Sequence, residues 1–398
     1  MIIEEVKINI INDSRGEKTL EAEMILGEFS VKASVPSGKS KGTHEMVSLE
    51  PELAVEKFRA IKPYILKKDF KNQTEFDNFL ISFDKTPDKS NLGGNLILAL
   101  SLAFARLKAK EENKELYEYI REISSLELKK YEFPKPIFNV INGGAHAKNN
   151  LDFQEFQIIP QTGDFGLAYS LGKDFYRKLG DKVFEEFGKE NVVLGDEAGY
   201  SAPFKTNEEA LDSITALIRE KRFPIRIGLD MAASQFYEDR FYVLDGMQFL
   251  NPELIDYYSD LINQYNIVSI EDPFNEEDFA EFANLTWEIG KDHLVITDDL
   301  TTTNPVRLKM AIEQNSGNTI LIKLNQIGTL TETLTVIKMA YDNKWKAIVS
   351  HRSGETMDDF IADLAVAVNA WGIKAGAPGK PERICKYERL LNIYNTVG

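Results

Sequence analysis

Six short apolar runs in the second half of the chain each end on a residue able to do chemistry. "IRIGL" runs into Asp230, "NIVSI" into Glu271-Asp272, "LVIT" into Asp298-Asp299, "TILI" into Lys323, "AIVS" into His351-Arg352 and "WGI" into Lys374. A lysine directly after a buried strand, as Lys323 is, costs several kcal/mol to desolvate unless it is paired or its pKa falls. By itself it is either a solvated strand end or a working group. Asp230, Glu271 and Asp298 would repel one another on meeting unless some protonate or a divalent cation binds them. Separate ion pairs or helix caps are the other reading of the three. An all-oxygen ligand set, without cysteine or clustered histidine, favours Mg²⁺ over Zn²⁺. Beside such a cation and Lys374, the Lys323 amine would have a depressed pKa and serve as a general base near neutral pH. The metal and Lys374 would then neutralise an enolate formed next to a carboxylate. His351, Arg352 and Ser353 in "SHRSGET" offer donors for a phosphate or a hydroxyl. A buried structural histidine beside a surface arginine is the other reading of the same residues.

Two earlier stretches add candidates. "NVINGGAHAKNNLDFQEF" (139–156) has a flexible Gly143-Gly144 pair beside His146, followed by Gln154 and Glu155. "VVLGDEAGYSAP" (192–203) places Asp196-Glu197 after an apolar run. Glu197 reads as a solvated turn acid or as a catalyst. Opposite a lysine it would supply the acid half of an elimination.

These groups need a scaffold that brings them together. Most intervals between the six run ends match one strand plus one crossover helix, the signature of βα units. Reactive groups at the carboxyl ends of successive parallel strands are how a (β/α) barrel assembles its site. That register favours a working role for Lys323 over a strand end. Before this series, "KTLEAEMIL" (18–26) and "FSVKASV" (29–35) alternate as neighbouring antiparallel strands with "LGE" as their turn. "PSGKSKGTHE" (36–45) is a glycine- and serine-rich loop with two lysines. Helical periodicity runs from about 52 to 122, broken near "DKTPDKSN" (84–91), where Ser90 or Asn91 would cap the next helix. "LKKYEFPKP" (128–136), with two prolines, is the expected linker. The division is therefore an α+β domain over 1–128 and a barrel over 129–398.

Composition excludes some classes. The 398 residues are 43% hydrophobic and 28% charged, ordinary for a globular protein with a sizeable core. The net charge of −16 and pI near 4.9 argue against nucleic acid or an anionic membrane as partner, while leaving room for an anionic small substrate at a local positive site. With one cysteine, Cys385, no intramolecular disulfide forms, and a reducing, cytoplasmic compartment is expected. "MIIEEVKINI" carries no secretory signal. "LILALSLAFA" (96–105) is too short to span a bilayer and suits a buried helix.

The chain resembles the enolase family. "DSRG" (13–16), "SVPSG" (34–38), "FNVINGGAHA", "QEF", "GDEAG", "DMAAS", "SIEDPF", "DDLTTTNP", "KLNQIG", "SHRSGET", "FIADLAV" and "KAGAP" (374–378) occur in that family's order over nearly the full length. The resemblance implies an enolase-type (β/α)8 barrel behind a smaller N-terminal α+β domain. It implies a lyase of glycolysis and gluconeogenesis that reversibly dehydrates 2-phospho-D-glycerate to phosphoenolpyruvate. Carried onto this chain, Lys323 removes the C2 proton and Glu197 protonates the departing C3 hydroxyl, with Glu155 hydrogen-bonded in that acid's surroundings. Asp230, Glu271 and Asp298 would bind a first Mg²⁺, and Ser40 on loop 36–45 a second that arrives with substrate. Gln154, Arg352, Ser353 and Lys374 would hold substrate, with His146 and His351 lining the pocket. A homodimer or larger homo-oligomer is implied as well, without nucleic acid or membrane insertion.

The chain departs from the family pattern in places. The loop reads Gly38-Lys39-Ser40-Lys41-Gly42, with two added cations that are expected to form a solvated rim. Thr297 replaces a glycine, Gln235 a glutamate, and "LLNIYNTVG" has no acid to pair with Arg15 across a dimer. None of these removes a catalytic group. Two rivals follow: a relative acting on an acid such as phosphonopyruvate, and a non-catalytic binding protein on the same fold.

Overall fold

The computed structural model describes residues 1–39, 42–147 and 149–397, and of His146 the backbone only. Ser40, expected as a metal ligand, and Lys41 lie outside the described residues, as does the side chain of His146. Alternation of apolar and polar residues builds an antiparallel meander of β1 (Glu5–Asn12), β2 (Lys18–Leu26) and β3 (Phe29–Ser34). Leu26 pairs with Phe29 across a two-residue turn in which Gly27 adopts φ 56°, a conformation that costs other residues energy. The strands β2 and β3 match their alternation. β1 is an additional strand in a segment that the sequence marked only as free of a targeting signal.

Four helices follow: α1 (Pro51–Ile65), α2 (Gln73–Asp84), α3 (Gly94–Glu111) and α4 (Leu116–Ile123). Every residue from Leu96 to Ala105 of α3 is buried. The meander covers one side of α3 and the barrel helices Leu324–Ile327 and Leu330–Asp342 approach another, so the helix is apolar nearly all round. Its start differs from expectation. Neither Ser90 nor Asn91 caps it; Gly93, at φ 90°, precedes it without a side-chain cap. Asp84 organises the break instead, accepting from the backbone N–H groups of Thr86 (2.9 Å) and Leu92 (2.6 Å).

Eight strands close a barrel: β4 (Lys135–Asn142), β5 (Glu155–Pro160), β6 (Ile225–Asp230), β7 (Ile267–Glu271), β8 (Leu294–Thr297), β9 (Thr319–Ile322), β10 (Lys346–Ser350) and β11 (Gly372–Lys374). Closure comes from β11, which pairs in parallel with both β10 and β4. One strand breaks the uniform direction: β5 runs antiparallel to β4 and to β6. Its first residue, Glu155, therefore sits opposite Asp230, the last residue of β6. Ile137, Ile159, Val268, Leu294, Ile296, Leu321 and Ile348 fill the lumen, so the barrel is a packed core with its chemistry at one end. Among the described residues no helix is long and apolar enough to cross a membrane.

Candidate active site

All six run ends reach the same mouth of the barrel. β6 ends on Asp230, β7 on Glu271 and β11 on Lys374, while Asp298, Lys323 and His351 directly follow β8, β9 and β10. One cavity there is lined by Gln154, Glu155, Glu197, Asp230, Asp298 and Lys323, and also by His351, Arg352, Ser353 and Lys374. Thus every expected site residue with a described side chain lines this cavity, apart from Glu271, which reaches it through Lys374. The remaining lining includes Asp272 and Asp299, giving six carboxylic acids against the cations Lys323, Arg352 and Lys374.

Lys374 carries much of this charge balance. Its Nζ lies 3.0 Å from Glu155 Oε2, 2.9 Å from Asp230 Oδ2 and 2.9 Å from Glu271 Oε1. Burial alone would lower its pKa, but these carboxylates outweigh that and hold it well above the ordinary lysine value. Lys323 pairs with Asp298 in the same way. Burial pulls its pKa down, the Asp298 charge pushes it up further, and the net shift is upward. This is opposite to the depressed value expected of a base beside a cation. With Asp298 turned to the ammonium, and Asp299 close by, the carboxylates' pull outweighs burial and the neighbouring Arg352 and Lys374 cations.

Several acids are pushed up as well, because burial and neighbouring carboxylates outweigh the pull of Lys374. Burial, and then Asp230 alongside, raises Glu271 well above the usual carboxylate range. Burial and Glu197 do the same to Glu155. Burial and Asp298 push Asp299 to about 7. This surplus of buried carboxylate is what a divalent cation would offset, and the oxygen-only donors at Asp230, Glu271 and Asp298 suit a hard ion. Among the described residues, the groups that bring ligand atoms within 4.8 Å of one another are Glu155, Glu197 and His351, and Asp272, Asp298 and Asp299. In the second, Asp272 is already engaged, accepting from the backbone N–H groups of Asp298 (2.9 Å) and Asp299 (2.8 Å). It clasps the turn after β8. The sequence places it beside Glu271 without showing that role.

The turn 195–199 supplies Glu197 to the same cavity. Its Oε2 accepts from Asn139 Nδ2 at 2.7 Å, and its Oε1 lies 3.7 Å from His351 Nε2. Burial holds His351 well below its ordinary pKa, so the ring is neutral. Arg352 makes a two-pronged pair with Glu45, at 2.9 and 3.1 Å, and donates to Asn325 Oδ1 at 3.0 Å. The loop is tied to the barrel elsewhere too. Ser37 and Gly354 exchange backbone bonds, and Lys39 donates its backbone N–H to Ser353 Oγ (2.8 Å) and its Nζ to the Ala145 carbonyl (2.9 Å). Lys39 is exposed, as expected of a solvated rim, and its ammonium also links two loops; Lys41 lies outside the described residues. Gln235 accepts from Ala145 N–H (3.0 Å) and donates to Gln154 Oε1 (2.6 Å), two roles that a glutamate there could not combine. Arg15 pairs within its own chain, with Asp13 and Ser37.

Asn139 and Glu45 were not singled out from the sequence. Asn139 alone left a signal, a polar residue inside the apolar run of β4.

A closed barrel with one reversed strand, an α+β domain ahead of it and a mouth lined by lysines and buried acids is the architecture of a barrel enzyme. Comparison narrows this to one family. Residues 130–398 match the model described as "Enolase, C-terminal TIM barrel domain", and residues 3–120 match "Enolase, N-terminal domain". The protein named "Enolase" from Methanocaldococcus jannaschii is 43% identical, covering all of this chain and 96% of its own length. Those from Methanopyrus kandleri and Methanosarcina barkeri are 43% and 40% identical, covering 98% and 100% of this chain and 94% and 95% of their own. The chain belongs to the enolase family, whose members use a divalent metal.

Proposed function

We propose that this protein is a hydro-lyase that interconverts 2-phospho-D-glycerate and phosphoenolpyruvate, as the family name implies. The observation that carries the reading is the presence of Lys323 and Glu197 in the lining of one cavity, in a chain that matches the family over nearly its full length. Lys323 takes the C2 proton. The C3–O bond then breaks, with Glu197 delivering a proton so that the hydroxyl leaves as water. Glu155 stays beside this acid and Lys374, and His351 directs its ring towards Glu197. Arg352, Ser353 and Gln154 hold the anionic substrate, as does Lys374, with His146 at the pocket edge. Asp230, Glu271 and Asp298 are the proposed ligands of Mg²⁺, and Ser40 of a second Mg²⁺ that arrives with substrate. When bound, the metal supplies positive charge that stabilises the enolate and offsets Asp298, whose charge keeps Lys323 protonated. Residues 1–128 act as the capping domain and 129–398 as the catalytic barrel. A cytoplasmic homodimer or larger homo-oligomer fits this reading, and native mass measurement tests the assembly.

The roles separate in two assays. Lys323→Ala abolishes exchange of the C2 proton with solvent deuterium, while Glu197→Gln retains exchange and loses phosphoenolpyruvate formation. Equal loss of exchange in both would show that base and acid are not divided this way. The phosphonate alternative is not favoured, since the full-length relatives carry the name "Enolase".

A further inference from the structure

Arg383, in the first turn of the helix Pro381–Val397, is fully buried and points its guanidinium at the two turns that carry the acid side of the site. Nη1 donates to His351 Nδ1 and to the Arg352 carbonyl (2.7 Å). Nη2 donates to the carbonyls of Asp196 (3.2 Å) and Ser353 (2.6 Å). The segment leading to it grips the same turn. Ala377 N–H donates to the Glu197 carbonyl at 2.9 Å, and Lys380 Nζ to that of Gly195 at 2.8 Å. Gly376, at φ 82°, makes room for this: a Cβ there would stand 2.7 Å from the Glu197 carbonyl oxygen and 3.0 Å from Arg383 Cδ.

The chemistry of the contact decides the ring's proton. A guanidinium only donates, so the nitrogen facing it must accept. His351 Nδ1 is then unprotonated, and the neutral ring carries its hydrogen on Nε2. That nitrogen has no hydrogen-bond partner among the described residues and lies 3.7 Å from Glu197 Oε1. With Asn139 on the other oxygen, the carboxyl group is approached by a donor on each side.

We propose that Arg383 is a positioning residue: it fixes His351 as the Nε2–H tautomer aimed at Glu197 and holds the Asp196–Glu197 turn, so that it governs the acid half of the reaction and not the base half. This rests on Glu197 being the acid, and the test keeps the two ideas apart. Nitrogen-15 spectra of histidine-labelled protein, with the His351 signal assigned by its absence in His351→Gln, should show a neutral ring protonated at Nε2 in the wild type. A ring protonated at Nδ1, or an imidazolium near neutral pH, would overturn the proposal without any arginine variant. Arg383→Met should mix the tautomers and slow phosphoenolpyruvate formation by about 10–100-fold, the usual cost of losing a partner that orients a functional imidazole, while C2 proton exchange stays near wild type. If that variant fails to fold, Arg383→Lys carries the test with the same signs and smaller effects. Equal slowing of exchange and dehydration with the tautomer retained would mark a purely structural clamp and refute the proposal. Glu197→Gln runs alongside: if it does not separate exchange from dehydration, the acid assignment fails, and the His351 spectrum still reports on Arg383.

Discussion

Lys374 shows how a single side chain can hold a site in place. Its ammonium touches carboxylates from three strands, Glu155, Asp230 and Glu271, and all four side chains are almost wholly buried. Removing one partner from such a network strands the others as uncompensated charge, at a cost of about 3–5 kcal/mol. Lys374→Met should therefore melt well below the wild type in chelator, and Mg²⁺ should recover much more of its Tm than of the wild type's. Thermal melts with and without Mg²⁺ check this, and equal metal responses would show that the acids do not share the ion's neighbourhood. Lys39 makes a weaker contribution, one hydrogen bond to Ala145 worth about 0.5–1.5 kcal/mol. Lys39→Ala should weaken substrate capture by a factor of a few, with a similar loss at low and high ionic strength. A loss confined to low salt would mean that the exposed ammonium acts through its charge and not through this hydrogen bond.

Among the elements, α2 meets the barrel helix Leu330–Asp342 through one buried acid. Asp77 accepts from Thr331 N–H (3.0 Å) and Thr331 Oγ (2.6 Å), at that helix's N-terminus, and from Gln73 Nε2 (3.0 Å). Burial pushes its pKa up to about 6, although these donors and Ser101 oppose the shift. A carboxyl group whose folded pKa lies above its unfolded value contributes stability at low pH that is lost as pH rises through the folded value. The wild type should therefore lose about 3 kcal/mol of this contribution between roughly pH 4 and 6.5, and Asp77→Asn should lack that component. Urea titrations of both proteins across the window compare the slopes. On α3, Phe104 stacks on Phe76 with ring centroids 4.2 Å apart and meets Phe70 edge-on. Phe104→Ala should cost about 3–5 kcal/mol, read from the denaturation midpoint.

At the scale of the molecule, a single apolar cluster runs from the N-terminal meander through α3 into the layer between barrel and outer helices. Polar ties cross the same junction: Arg106 reaches Asp358 and Asp359, and Glu45 reaches Arg352. A core continuous across both parts predicts one cooperative transition by calorimetry, with Phe104→Ala lowering it without splitting it. Two resolved transitions would mean that the parts unfold independently. The net charge of −16 repels itself in the compact state, so added monovalent salt should raise the Tm as it screens the acidic surface.

The geography of the candidate site was legible because strand ends are a local signal. An apolar run of four or five residues closed by Asp230, Glu271, Asp298, Lys323, His351 or Lys374 announces both a covered strand and the group it delivers, and the intervals between runs announce crossover helices. Whatever depends on the direction of a chain segment in space was not local. The reversal of β5, which seats Glu155 opposite Asp230, is set by how β4 and β6 flank it, and no period in "QEFQII" records that. The protonation of Lys323 depends on which carboxylate reaches it. Arg383 lies 32 residues beyond His351 in an ordinary helical first turn, and the link from Lys39 to Ala145 spans 106 residues. Sequence alone determined which residues stand at the ends of the strands, since alternation and burial act over neighbouring residues. Only the tertiary structure decided which of those charges meet, because electrostatic pairing is settled by distances of a few ångströms between segments far apart in the chain.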